Sequence, residues 1–571
     1  MFGSSDMEIS RDGDDDITES LSAQPSSSNT PQEESIISEK DILLSSLGDY
    51  TQDDEKIDEW TSSFQNLPSM GQMKALLSLV HRADPEQIRI LGDTIQQLFQ
   101  RDLISDLPPE IALKILSNVS GNDLKKFSHV SKNWLALCEA NPVWKSICDQ
   151  IEIKLPEPSN RVDEAWENIL TPDSVIIKDR MMMKALMEYQ TNKIKNKYGS
   201  IYQRSPYKSL FMRYQKILNN WRTLPIRGMA LLRGHDEFVI TCIQIRGDIL
   251  VTGADDATLR VWSIDRGVLL YKLTGHAGGV WTCDISADGK FVVSGSTDRT
   301  VKVWSIETGN LLFTLTGHVS TVRCTALHAN ILVSGARDST LRVWDIQNGC
   351  FIRSLCGENA HLAAVRCVQF DGDLVVSGGY DFTVKVWDVH TGRCIRTLRG
   401  HGNRVYSLLF VSERGLIVSG SLDTKIIVWD INRPVGEEKV TQLSGHTSLT
   451  SGIQMKGDTL VSSNADGTLR VWDIKDGSCL YTLTGHKSAI TSMQYLDDNM
   501  VVTSSDDGTV KLWDIKKGTY IRDLIVLTTS GNGGCIWRLC ATPTLLACAA
   551  GSRHHTEDTK VVLLDFDAVH P

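Results

Sequence analysis

Phe291-Val-Val-Ser-Gly-Ser-Thr-Asp-Arg-Thr-Val-Lys-Val-Trp304 reads as a strand, a tight turn and a second strand. β-branched runs flank a turn of Gly, Ser, Thr and Asp, the residues that close hairpins. Upstream stands Gly275-His276, and the same frame recurs along the chain. Gly-His also occurs at Gly234-His235, Gly317-His318, Gly400-His401, Gly445-His446 and Gly485-His486. A fourth unit splits the pair into Gly357-Glu358-Asn359-Ala360-His361. Tryptophan closes each unit, at Trp262, Trp304, Trp344, Trp387, Trp429, Trp472 and Trp513, 40 to 43 residues apart. Residues 234–571 hold about eight such periods, the last a degenerate one from Gly531 to Asp565. A fixed period of this length means stacked copies of one small unit.

The period and these residues resemble the WD-repeat β-propeller, which implies eight blades of four strands. Closure then needs strands from both ends of the domain. Met229-Ala230-Leu231-Leu232, just before the first Gly-His, is the expected closing strand.

Each repeat also carries a His, a Ser or Thr, an Asp and a Trp, such as His276, Ser294, Asp298 and Trp304. These residue types suit a Ser-His-Asp triad, but an enzyme needs one such site, not seven. The resemblance implies an internal hydrogen-bond network instead. Function is then expected where the repeats differ. The sixth residue after each Gly-His glycine runs Ile240, Trp281, Arg323, Arg366, Tyr406, Ser451, Thr491 and Trp537. The residue before each turn Asp runs Asp255, Thr297, Arg337, Tyr380, Leu422, Ala465, Asp506 and Arg553. In a propeller both columns face one rim of the channel. Arg323, Arg337 and Arg366 fall in consecutive blades, with Arg299 before them, Tyr380 and Tyr406 after, and Arg538 and Arg553 across the channel. Guanidinium forks bind phosphate oxygens bidentately, and aromatic walls suit apolar residues beside a phosphate. The alternative is that these arginines pair with Asp255, Asp298, Asp338, Asp381 or Asp506.

The rest of the chain is arranged differently. The net charge is −11, but residues 1–60 hold 17 acids against 3 bases and leave the other 511 residues at +3. Bulk nucleic-acid binding is therefore not indicated. Residues 1–57 are Ser/Asp/Glu-rich, as at Asp12–Asp16, and are expected to be a disordered acidic tail. In 58–100, Met73, Leu76, Leu77 and Val80, then Ile88, Leu91, Ile95 and Leu98, follow helical spacing, with Asp84-Pro85-Glu86 opening the second helix. Two such helices make a very small core, so they pack on the next domain or on a second copy. In 101–150, Leu107-Pro108-Pro109-Glu110 opens a helix, Asn122-Asp123 caps a second and Ser131 a third. Residues 151–225 read as a proline-broken linker and a basic helical stalk. Its lysines and arginines suit nuclear import or nucleic acid, or simply a solvated helix face. No apolar run approaches the ~20 residues of a membrane span. Met1-Phe2-Gly3-Ser4-Ser5-Asp6 is no secretory signal. The thirteen cysteines, without a CxxC pair, read as reduced core residues, which places the protein in nucleus or cytoplasm.

Leu107, Pro108, Glu110, Ile111, Leu116, Leu124, Val130 and Trp134 resemble the F-box, which docks on the Skp adaptor of Skp–Cullin–F-box ubiquitin ligases. With Gly-His-x-Ser-Thr-Val-Arg-Cys (317–324), Ser-Gly-Ala-Arg-Asp (334–338), Ala-Ala-Val-Arg-Cys (363–367), Gly-Gly-Tyr-Asp-Phe (378–382) and Asn-Arg-Val-Tyr-Ser (403–407), the chain resembles the archipelago-type F-box/WD-repeat receptors from 58 to 571, except over 152–200. That resemblance implies a multidomain protein: acidic tail 1–57, all-α dimerisation helices 58–100, F-box 101–150, linker and stalk 151–225, and all-β propeller 226–571. It implies a non-catalytic receptor without metal or cofactor, which joins adaptor and cullin and holds phosphorylated substrates as a homodimer. Arg323, Arg337 and Arg366 would hold a phosphothreonine followed by proline. Ser320, Thr321, Arg299, Tyr380, Tyr406, Ser451, Arg538 and Arg553 would complete the pocket. A propeller scaffold outside any ligase is the alternative. Ala336 replaces the family's usual serine. Ile169-Leu170-Thr171-Pro172 resembles the family's degron, although Val175 stands where an acid is expected.

Overall fold

Eight antiparallel four-stranded sheets build the repeat region, one for each period. The computed structural model describes residues 54–99, 102, 104, 107–156, 205–223, 226–497, 499–527, 534–552 and 559–568. The acidic tail up to residue 53, the Thr171 segment and Arg553 lie outside them. The chain divides into two units, Met1–Asp102 and Leu103–Pro571.

Among its described residues the first unit holds three helices where two were expected: α1 (Asp54–Gln65), α2 (Ser69–Arg82) and α3 (Pro85–Phe99). The unexpected α1 was hidden at the edge of the acidic tail. Its opening acids favour a helix N-terminus, and Ile57, Trp60 and Phe64 give it an apolar stripe. Trp60 and Phe64 stack at 5.5 Å, and the Gln72 amide donates to the last carbonyls of α1, those of Phe64 and Gln65. At the start of α3 the Asp84 N–H donates to Gln87 Oε1, one half of a capping box. No residue of α2 is buried, and Met70, Met73, Leu77, Ile88 and Leu91 are all exposed.

The second unit opens with a four-helix bundle: α4 (Pro109–Leu116), α5 (Gly121–Phe127), α6 (Lys132–Cys138) and α7 (Asn141–Ile151). Ser131 caps α6, accepting from the Trp134 N–H. The cap of α5 is Ser120, not Asn122-Asp123. Its hydroxyl accepts from the Asp123 N–H and donates to the Asp123 carboxylate, so Asp123 closes the cap from the third helical position. After the linker comes α8 (Pro206–Arg222), whose two halves belong to different cores. Phe211 enters the bundle beside Trp144, and a Cβ at Gly121 would stand 2.4 Å from its ring. Tyr214, Ile217, Leu218 and Trp221 pack on the propeller, with Trp221 stacked on Phe566 at 3.7 Å. The stalk bases Lys208, Arg213 and Arg222 are not a solvated face. They pair with Glu139, Asp567 and Asp514, and the Arg213–Asp567 pair is bidentate and buried. Arg522 donates to the carbonyls of Asn220 and Trp221 and so neutralises the C-terminus of α8.

The propeller's sheets form blades one to seven from Ile240–Leu273, Val280–Leu315, Val322–Leu355, Val365–Arg399, Val405–Leu443, Thr450–Leu483 and Ile490–Val526. Blade eight joins Gly228–Arg233 to the last three strands, with Met229 opposite Leu564 and Leu232 opposite Val561, the expected closure. The first strands of all blades meet in a closed inner ring. In blades one to seven the histidine joins the turn aspartate and a buried Ser or Thr, and that hydroxyl accepts the indole N–H of the closing tryptophan. In blade three the three contacts are 3.1, 2.8 and 2.8 Å. Ser334 is fully buried and engaged by both neighbours, so this is a structural network. His361 keeps the network despite the insertion before it, with Asp381 and Ser377 both at 2.8 Å. All thirteen cysteines are free, and Cys350, Cys356 and Cys479 are exposed rather than in the core. Among the described residues no helix is long and apolar enough to cross a membrane, and no three His, Cys, Asp or Glu are placed to hold a metal ion.

Candidate binding site

A β-bulge falls at the same place on every inner strand. In blades two to eight the extra residue is Trp281, Arg323, Arg366, Tyr406, Ser451, Thr491 and Trp537. A bulge adds one residue to its strand and re-aims the side chain there. The eight bulges thus make a ring of variable side chains on a constant frame. Blade one corrects the expected column: its bulge residue is Thr241, and Ile240 is a core residue paired with Ala254. The reason is one additional residue between His235 and the strand, where Asp236 takes a left-handed conformation at φ 47°.

The second column meets this ring through the backbone. The Arg337 N–H donates to the Thr321 carbonyl at 2.9 Å, and the Tyr380 N–H to Ala364 at 2.9 Å. Each turn residue is thereby fixed two residues from a bulge, at the same end of its blade. In blades two, five and seven a serine also ties turn to loop, as Ser296 does by donating to the Gly278 carbonyl. Blades three and four have Ala336 and Gly379 at that position, so this tie is missing beside Arg337 and Tyr380.

The bulges bring Arg323 and Arg366 together with Trp281 and Tyr406, and the turn residues Arg337 and Tyr380 act on the same group. The Arg323 guanidinium lies 4.0 Å from the centre of the Trp281 ring, and that of Arg366 lies 5.7 Å from the Tyr406 ring. Tyr406 packs on Tyr380 at 5.4 Å, and Arg404 covers Tyr380 at 4.9 Å. Burial, then the positive charges of Arg366, Arg538 and Arg337, push the Arg323 guanidinium down to about 10. Burial and Arg366 likewise lower Arg538, which spans the channel wall by donating to the Thr241 and Thr491 carbonyls. Tyr380 is raised by burial and by its neighbour Tyr406. The turn aspartates are committed elsewhere, Asp338 to His318 and Asp381 to His361. Among the described residues neither Arg323, Arg337 nor Arg366 has an ion pair or a side-chain hydrogen bond. Arg323 and Arg366 are half-buried and Arg337 is exposed on its turn, and like charges, two of them partly desolvated, are costly to hold together without an anion.

Ser320 and Thr321 precede the Arg323 bulge in its loop, and Ser451 holds the blade-six bulge with its hydroxyl 3.0 Å from that of Ser463. Arg299 stands exposed on the blade-two turn at φ 71°. Two residues of the site were not expected. Trp281 shares the bulge column with Arg323, which was its signal. Arg404 lies outside both columns, and only packing reveals it. On the helical bundle, Pro108, Glu110, Ile111 and Val130 are exposed and Leu107 and Trp134 partly so. Leu116 and Leu124 are at most 1% exposed in the bundle core. They hold the bundle together and are not a contact surface.

The WD domain, G-beta repeat model matches seven stretches, 228–263, 267–305, 309–345, 349–388, 392–430, 437–473 and 477–514. The unmatched remainder of blade eight is the degenerate unit. The F-box-like model matches 104–150. The chain is 55% identical over 516 residues to the F-box/WD repeat-containing protein sel-10 of Caenorhabditis elegans, covering 90% of this chain and 87% of that protein. It is 31% identical over 483 residues to Cell division control protein 4 of Saccharomyces cerevisiae, 76% of this chain and 58% of that one. A solved structure, that of the computationally designed Ika8 protein, superposes with a TM-score of 0.51 at 38% identity, covering 58% of this chain and 97% of that one. With one F-box, a WD-repeat propeller and this degree of identity, the chain belongs to the archipelago type of the F-box/WD repeat-containing family.

Proposed function

We propose that this protein is the substrate receptor of a Skp–Cullin–F-box ubiquitin ligase, binding a phosphothreonine-proline segment in the propeller channel. The observation that carries the reading is the group of Arg323, Arg337 and Arg366, brought near one another with no counter-ion among the described residues. A phosphate dianion fits three guanidinium forks, and the Tyr380–Tyr406 wall fits the proline and its apolar neighbours. Relatives from Arthroderma and Emericella, 27–28% identical, carry the name probable E3 ubiquitin ligase complex SCF subunit sconB. The exposed Pro108, Glu110, Ile111 and Val130 are the proposed adaptor surface, and through the adaptor the receptor joins cullin. The protein contributes no reacting group. Bundle and propeller share α8, so a bound substrate is held at a set distance from the ligase, and its lysines meet ubiquitin at raised local concentration. Nucleus or cytoplasm suits thirteen free thiols.

The exposed apolar faces of α1–α3 are the proposed homodimer surface, because a unit this small buries little against itself. Light scattering on the full chain and on a fragment starting at 103 is expected to give a dimer and a monomer, and equal masses per chain would reject this. For the site, titration with a phosphothreonine-proline peptide and its unphosphorylated form is decisive. Binding that depends on the phosphate and is lost in Arg366→Ala supports the reading, and equal binding of both peptides overturns it.

A further inference from the structure

Among the described residues, a second group of cations without an acid partner lies at the outer junction of blades eight and one, on the end of the propeller that carries the arginine ring. A cleft of about 380 Å³ is lined there by Arg233, Gly234, Asp236, Arg260, Lys272 and Thr559. Three of its side chains are cations and one, the exposed Asp236, is an acid. Two cross-strand pairs at the cleft are of like charge, Arg260 opposite Lys272 in blade one and Arg233 opposite Lys560 in blade eight. Such pairs repel and destabilise their strands.

The other blades show what this position ordinarily holds. Lys302 donates to Thr314, Lys385 to Thr397 and Lys511 to Asp523, each its cross-strand partner. Arg342 lies over the Phe351 ring opposite Ser354, and Arg470 over the Trp472 ring opposite Thr482. At this position of the third strand, blade one sets a second cation, Lys272, opposite the first. Arg260 is 8% exposed and its Nε has no acceptor, a state it shares with Arg342 and Arg470, whereas the hydroxyl of Thr559, 1% exposed and without a partner among the described residues, is particular to this cleft. Buried donors of this kind are left unmade only at a cost, unless something else completes them.

We propose that this cleft is a second oxyanion site, which takes a phosphoryl group carried by the same polypeptide that occupies the channel. The pairing of two sites on one ligand rests on the channel reading above. Arg260 and Lys272 lie on the third and fourth strands of blade one, about 10–14 Å outward from its inner strand. An extended chain advances about 3.3 Å per residue, so a short segment reaches from the channel edge to the cleft.

The test uses the full chain and calorimetric titration with three peptides. One carries phosphothreonine-proline alone, and one adds a phosphoserine after Gly/Ser spacers of graded length. The third carries only the phosphoserine. At one spacer length the doubly phosphorylated peptide is expected to bind roughly 10-fold more tightly than the first. The double variant Arg233→Gln, Lys272→Gln, both at exposed positions, should erase that gain and leave the first peptide's affinity unchanged. No gain at any spacer length, or a gain that survives in the variant, overturns the proposal. Stabilisation by inorganic phosphate without a peptide gain overturns it too. If the first peptide does not bind at all, the channel reading has failed. The third peptide then reads the cleft alone: binding lost in the double variant supports the site, and binding unaffected by it overturns the site.

Discussion

Arg323 and Trp281 come from neighbouring blades, and each is the extra residue of a β-bulge. Their contact, with the guanidinium 4.0 Å from the ring centre, forms because the same irregularity recurs at the same place in adjacent sheets. The ring supports a planar cation and sets the direction of its N–H fork. Trp281 is itself held by donating its indole N–H to Thr297 at 2.8 Å.

Arg323→Ala is therefore expected to cost a phosphothreonine-proline peptide about 2–4 kcal/mol of binding, because a charged partner loses its bidentate contact. Trp281→Ala should cost about 0.5–1 kcal/mol, through loss of orientation alone. Fluorescence polarisation with a labelled peptide measures both, and equal losses would show that Trp281 touches the ligand directly.

Ser334→Ala removes the hydroxyl that receives the Trp344 indole N–H and bonds His318 Nε2. Two buried polar groups then lose their partner, at about 1–3 kcal/mol each. Urea unfolding should show this loss, while peptide affinity per folded molecule stays near that of the unchanged protein. An unchanged midpoint would mean that the network does not support the blade.

Acid should destabilise the propeller in two stages. Burial, with Arg470 nearby, holds His446 down to about 4 against the pull of Asp466. Its neutral form supports the fold fully above pH 6.5, and that support is lost as pH falls toward 4. Burial would raise the Asp423 carboxyl, but hydrogen bonds from His401 and the Lys425 and Gly402 N–H groups hold it at about 2. Its contribution is present above about pH 4 and is lost as pH falls through 2. Melting temperatures from pH 7.5 to 2.5 test the order, and His446→Gln should flatten the upper stage.

Leu124→Ala and Ile111→Asp should part company in the bundle. Leu124 is wholly buried, so truncation should cost about 2–5 kcal/mol of stability through cavity formation. Ile111 is 49% exposed, so the charge should leave melting nearly unchanged and weaken adaptor capture instead. Circular dichroism melts and a pull-down with purified Skp adaptor read the two effects, and loss of folding in Ile111→Asp would remove it from the proposed surface.

The sequence by itself determined the number of blades, the closing strand and the arginines that meet. Gly-His and Trp recur at one spacing because each blade must satisfy the same buried hydroxyl, and Met229–Leu232 has no partner in its own unit. Charge that varies on a constant frame marked Arg323, Arg337 and Arg366. Tertiary structure decided what spacing does not encode. One additional residue after His235 moved the blade-one bulge from Ile240 to Thr241, since register follows the hydrogen-bonded ladder and not the distance from a motif. Lys208 and Arg213 read as solvated bases until α8 brought them against Glu139 and Asp567, partners 69 and 354 residues away in sequence. Leu124 and Ile111 belong to one apolar pattern, and only the packing of four short helices sends the first inward and leaves the second exposed. Arg404 and the cleft of Arg260 and Lys272 likewise exist through contacts between strands and blades, which a linear pattern of residue types does not specify.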